Sequence, residues 1–139
     1  MGGKPFLGIF DILGIMNIAH QEKDGYVLNI ERGEEFLSSL RAFLEKEKIN
    51  AGYFTGLGAA GELELAYYNL STKKFERHTI KEDVEILSLV GNVAMLKDET
   101  IIHTTARSAK KISQYLAATS SHFIYQVRVK FISLNFLEK

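Results

Sequence analysis

Residues 84–105 read VEILSLVGNVAMLKDETIIHTT, two apolar runs on either side of the short polar turn Leu96-Lys97-Asp98-Glu99. Apolar runs bounded by turn residues are strand signals, and the fold is expected to be built around this pair. The second run carries His103, an imidazole set among Ile101, Ile102 and threonines, and any chemistry is expected close to it. Gly91-Asn92 interrupts the first run, which predicts a bulge or a point where another backbone comes close.

The segments before this pair supply further strands and one helix. Residues 25–32, GYVLNIER, alternate apolar and polar positions, the period of a half-buried strand, and Gly33 ends it. Glu34 to Lys48 place Phe36, Leu37, Leu40, Phe43 and Leu44 at helical spacing. Glu34 and Glu35 are expected in the first turn and Lys46 and Lys48 in the last, each at the favourable end of the helix dipole. The glycine-dense stretch INAGYFTGLGAAG (49–61) leads into a strand pattern and not a helix, so it does not fit a dinucleotide loop. Its small residues fit a bulge or a close approach between strands. Leu63–Leu70 and Phe75–Ile80 flank a four-residue loop of hairpin length, with His78 in the polar second arm as a solvated strand residue. Beyond His103 the sequence TARSAKKISQYLAATSS reads as a polar helix or loop, and strand alternation returns over Phe123–Phe136.

Composition narrows the function classes. Lys plus Arg and Asp plus Glu are equal at 17, whereas a dedicated nucleic-acid binder carries a basic surplus. There is no cysteine, which excludes disulfides and thiolate metal sites and leaves oxygen groups and His20, His78, His103 and His122 as ligands. No apolar stretch reaches membrane-spanning length. Lys4 and the apolar residues after it loosely resemble an export signal, but Asp11 interrupts them and no small-residue cleavage site follows. The expectation is a cytoplasmic chain with residues 1–20 as an N-terminal extension, Met16 being an alternative start, and residues 21–139 as a single domain.

From Tyr26 to His103 the chain resembles the stand-alone prokaryotic PPC (plants and prokaryotes conserved) domain. The matching stretches are YVLNIERGEEFLSSLRAFLEKEKI, AGYFTGLGAAGELELAYYN, VEILSLVGNVAM and TIIHT. The resemblance implies an α+β fold, with a mainly antiparallel β-sheet packed on one long helix, and a homotrimer. Plant members of the family carry the domain beside an AT-hook and associate with DNA. The Arg-Gly-Arg-Pro hook is absent here, so that element does not carry over.

The family continues the His103 strand as His-x-His, then a turn rich in Gly and Asp, then Gly-Gly-His, imidazoles that can hold zinc. Only His103 matches; Thr105 stands at the second position and no Gly-Gly-His follows. When residues 104–119 are written as degenerate codons and read from the third base of each, the pattern returns in order. The shifted codons permit His first and Gly-Gly-His last. We therefore expect residues 105–119 to be read out of frame, as helix or poorly ordered chain that leaves residues 101–104 without a strand neighbour.

Two functions follow as expectations. One is a trimeric domain acting with DNA or a regulatory protein partner. The alternative is a metal-dependent small-molecule enzyme or binder sharing its fold with acetolactate decarboxylase. In that second reading His103 is a zinc ligand and Glu64 or Glu85 an acid/base group. One histidine falls short of the three protein ligands a catalytic zinc usually has, and His122 lies on an unmatched segment. A third, structural reading is a trimeric scaffold whose partners bind at subunit clefts.

Overall fold

The computed structural model describes residues 16–110, 114–120 and 127–138, with side chains as far as Ala109. The elements in chain order are β1 (Asn17–Glu22), β2 (Gly25–Asn29), α1 (Phe36–Glu47), β3 (Ala51–Ala60), β4 (Leu63–Asn69), β5 (Lys74–Ile80), β6 (Val84–Leu96), β7 (Glu99–Lys110), β8 (Gln114–Ser120) and β9 (Val127–Glu138). Seven strands form one sheet in the order β1-β2-β9-β3-β6-β7-β8, and β4 and β5 form a separate hairpin. Every described strand pair is antiparallel. β1 begins at Asn17, inside the stretch read as an extension.

The opening pair of runs is the middle of this sheet. β6 and β7 pair from Glu85↔Ala109 to Leu96↔Glu99, leaving Lys97 and Asp98 as a two-residue turn. Both turn residues have positive φ, 50° and 63°, the backbone that a type I′ hairpin turn requires. Gly91 meets the expected close approach: a Cβ there would lie 2.5 Å from the His103 carbonyl oxygen and closer still to Phe54 Cζ. The bulges fall elsewhere, between Ile86 and Ser88 on β6 and around Gly56–Gly58 on β3.

The expected long helix is short. α1 has 12 residues, a length of about 18 Å. Glu35 is its N-cap and not a first-turn residue: its carboxylate accepts the backbone N–H of Leu37 at 3.0 Å and of Ser38 at 2.7 Å. Lys48 stops the helix in the left-handed conformation, and Ile49 N–H donates back to the Leu44 carbonyl at 2.9 Å. Phe36, Leu40, Phe43 and Leu44 are buried in the same core cluster as Tyr26, Leu28, Phe54, Leu89 and Ile102. Edge-on ring contacts join Phe36 to Phe54 (5.8 Å) and Tyr26 to Phe43 (5.1 Å). Each such large side chain contributes about 1.5–3 kcal/mol through burial.

Residues 105–110 and 114–120 are strand, which corrects the expectation of helix there, while residues 111–113 of that stretch lie outside the described residues. Along β7, Ile102, Thr104, Ala106 and Ser108 are buried while Ile101, His103 and Arg107 are exposed. The period is two, but its inward positions are small and half of them polar, so hydropathy alone hides it. β8 pairs with β7 from Lys110↔Gln114 to Thr104↔Ser120. The neighbour expected to be missing is therefore present as far as Thr104 and, among the described residues, absent beside Glu99–His103.

Candidate functional site

The sheet has two unlike faces because side chains alternate across it. Leu28, Phe54, Ile86, Leu89 and Val93 point into the core. Tyr53, Leu57, Leu87, Val90 and Ile101 lie on exposed positions of β3, β6 and β7, between 41% and 61% accessible. A shallow groove between β3 and β6 is lined by Val27, Thr55, Leu57, Leu87 and Val90.

His103 belongs to this outer face. Its register partner on β6 is Asn92, which pairs in turn with Tyr53 on β3. The next outward row runs from Thr55 through Val90 and Thr105 to Thr119 on β8. Thr105 thus stands two residues from His103 on the same face and directly across from Thr119. Below this row the backbone is fixed: Thr104 Oγ1 donates to the Val90 carbonyl at 3.1 Å, and Gly91 lets the His103 carbonyl approach.

The other sequence candidates do not join His103. Glu64 lies on β4 and accepts a 3.1 Å bond from Arg77, which sits diagonally across the hairpin, opposite Ala66. Glu85 pairs with Ala109, seven residues along β6 from the His103 partner Asn92, a separation of about 20 Å. His78 is exposed on β5, opposite Leu65, and His20 lies on β1, 3.6 Å from Glu22. His122 lies outside the described residues. Among the described residues no group of three His, Asp or Glu side chains is arranged to hold a metal ion.

A second concavity, at the C-terminal end of α1, is lined by Arg41, Glu45, Lys48, Asp98 and Glu99 among others. Its charges are mixed, and Arg41 Nη1 already donates to the Thr100 carbonyl. On the β4–β5 hairpin, Tyr68 and Phe75 stack edge-on at 5.2 Å and the Tyr67 hydroxyl donates to Glu76. That bond, and a second one from Asn69, hold the Glu76 carboxyl below the usual carboxylate range. These are contacts internal to the hairpin. Sequence reasoning located His103 but could not find the Thr105–Thr119 pairing or the exposed apolar face, since both depend on which strands become neighbours.

Comparison with known proteins agrees with this architecture. The family profile described as the Plants and Prokaryotes Conserved (PCC) domain matches residues 18–119. A "putative DNA binding protein" from Bacteroides thetaiotaomicron superposes with a TM-score of 0.83 at 23% identity, over 90% of this chain and 86% of the other. A "putative DNA-binding protein" from Ralstonia eutropha gives 0.75 at 19% identity, over 84% and 81%. A "metal-containing protein" from Archaeoglobus fulgidus gives 0.73 at 20% identity, over 91% and 88%. At these identities the likeness is one of fold. No curated protein matches the sequence, and no helix among the described residues is long and apolar enough to cross a membrane.

Proposed function

The chain belongs to the Plants and Prokaryotes Conserved (PCC) domain family, and on that premise we propose that it is a homotrimeric, DNA-associated regulatory domain of the cytoplasm whose copies meet through the outer face of the sheet. The observation that carries this reading is the exposure of Tyr53, Leu57, Leu87, Val90 and Ile101 on three adjacent strands. Monomeric proteins rarely leave a contiguous apolar surface of more than a few hundred Å² in water. In a closed trimer the contact is heterologous, one part of the face on each copy meeting a different part on the next around a three-fold axis, and an apolar face that spans three strands can supply both parts.

The DNA association is supported by what the structural neighbours from Bacteroides and Ralstonia are described as, and by assembly. A single copy has balanced charge, and two hairpin cations are committed to ion pairs, Arg77 with Glu64 and Lys81 with Glu62. Assembly multiplies the exposed cations that remain, such as Lys73 and Lys74 at the hairpin tip. Phosphate contacts would then be gathered from several subunits, with the salt dependence such contacts impose.

The test is a gel-shift series on duplex DNA across salt concentration, with the parent and a Leu57→Glu/Val90→Glu variant. The reading expects retardation at low salt that fades as salt rises and is lost in the variant. No retardation of the intact parent at the lowest salt refutes the DNA association and leaves a protein as the regulatory partner.

A further inference from the structure

The β4–β5 hairpin carries a solvent-exposed apolar tip on a buried base. The base is anchored by Leu63, Leu65 and Ile80, all members of the core cluster. Further out the character reverses: Tyr68, Phe75 and Leu70 are 47%, 63% and 82% exposed. Tyr68 and Phe75 are register partners whose rings meet edge-on at 5.2 Å, and Leu70 opens the loop beyond them. That loop is tied down. The Asn69 side-chain oxygen accepts the Ser71 and Thr72 amides at 2.9 and 3.1 Å, and Lys73 closes the loop in the left-handed conformation, with φ 54°.

The polar groups of the hairpin divide into those already bonded and those left over. Asn69 is the one amide between Leu63 and Ile80 and Arg77 the one guanidinium, and both are bonded within the hairpin. Glu76, the one acid of the outer half, lies on the face opposite Tyr68 and Phe75 and takes bonds from Tyr67 and Asn69. Lys73 and Lys74 are exposed and, among the described residues, make no ion pair. The tip therefore offers an apolar projection flanked by two ammonium groups. Direct reading of base edges relies on free amide or guanidinium donors, which this arm has spent.

We infer that this hairpin is the arm that touches DNA: Leu70, backed by Tyr68 and Phe75, wedges between base steps of a duplex from the minor groove, while Lys73 and Lys74 hold the flanking phosphates. The inference rests on the proposed DNA association and adds the element and the mode of contact. An apolar wedge partly unstacks a step and bends the duplex, so it favours easily deformed pyrimidine–purine steps over stiff A-tracts. A protein partner could cover the same rings, but an apolar one would leave Lys73 and Lys74 without counter-charge, which a phosphate backbone supplies. The arm belongs to the separate hairpin and not to the face of β3, β6 and β7 through which the copies meet.

The test uses the full chain and a short duplex with 2-aminopurine beside a central TA step, read by gel shift across salt and by 2-aminopurine fluorescence. The parent is compared with Leu70→Ala and with Lys73→Ala/Lys74→Ala, all at exposed positions, with circular dichroism to confirm an unchanged fold. Binding of the parent is expected to raise the fluorescence as the step unstacks. Leu70→Ala should abolish that rise and weaken binding about tenfold, with the salt dependence kept. The lysine double variant should keep the rise at saturation and lower the slope of log affinity against log salt by about two per engaged arm. A parent that binds without a fluorescence rise, or variants that bind as the parent does, overturns the inference and leaves the DNA association standing. A parent that does not bind at the lowest salt overturns both.

Discussion

Gly91→Ala is the sharpest test of how β6 and β7 hold His103 in place. A methyl group at residue 91 would lie 2.5 Å from the His103 carbonyl oxygen and 2.7 Å from Phe54 Cε1, and closer still to Phe54 Cζ. Neither obstacle can yield cheaply. The Phe54 ring is 1% accessible and packs on Phe36, while the His103 oxygen belongs to a strand paired along its whole length with β6. Overpacking a close-packed core costs about 1–3 kcal/mol, occasionally more. With two obstacles, one of them backbone, we expect about 3 kcal/mol. For a domain of this size each kcal/mol lowers the melting temperature by about 3–5 °C, so a drop of about 9–15 °C should appear. Urea unfolding at fixed protein concentration, followed by circular dichroism, measures the loss. Phe54→Leu in the Gly91→Ala background should recover about 1 kcal/mol of coupling, because it clears the ring and leaves the carbonyl in the way. A variant within 0.5 kcal/mol of the parent would refute the close approach on which the position of His103 rests.

Three further substitutions probe neighbouring features. Ser108→Ala removes a buried hydroxyl with no partner among the described residues and should stabilise the fold by about 1 kcal/mol; a loss of that size would show that Oγ is bonded after all. Replacing Lys97-Asp98 by Asn-Gly suits the two positive-φ positions of the β6–β7 turn and should raise the unfolding midpoint by about 1 kcal/mol, an unchanged or lower midpoint counting against a type I′ turn. The Glu34 carboxyl is held above the ordinary value of 4.5, first by burial and then by the Glu31 charge, with the Glu31 N–H bond opposing both. Its folded form binds the proton more tightly than the unfolded one, so ionisation opposes folding above that range. Glu34→Gln should therefore gain stability at pH 7, and its advantage should narrow as pH falls through the carboxylate range. A difference that does not vary with pH would count against this account.

The sequence was most informative where side-chain character and strand period coincide. VEILSLVGNVAM and TIIHT state both their strand nature and the turn between them, and β2, β4 and β5 are legible in the same way. The helix was legible in its apolar face but not in its ends, because Glu35 serves as cap only when its carboxylate turns back to the Leu37 and Ser38 amides. β8 and the second half of β7 are not legible as strands. The inward residues of β7 are small, and Thr104, Ala106 and Ser108 are buried by their position in the sheet and not by hydropathy. The candidate site was half legible. His103 stands out in its run, whereas the opposition of Thr105 and Thr119 comes from a pairing between segments that local sequence does not encode.

Assembly through the outer face is the claim on which the functional reading rests, and light scattering on the eluting protein measures it directly. The account predicts a mass three times the 15.7 kDa of one chain for the parent, and one chain mass for Leu57→Glu/Val90→Glu with its circular dichroism unchanged. A parent that elutes as a single chain at micromolar concentration, with Leu57 and Val90 left to water, would contradict it.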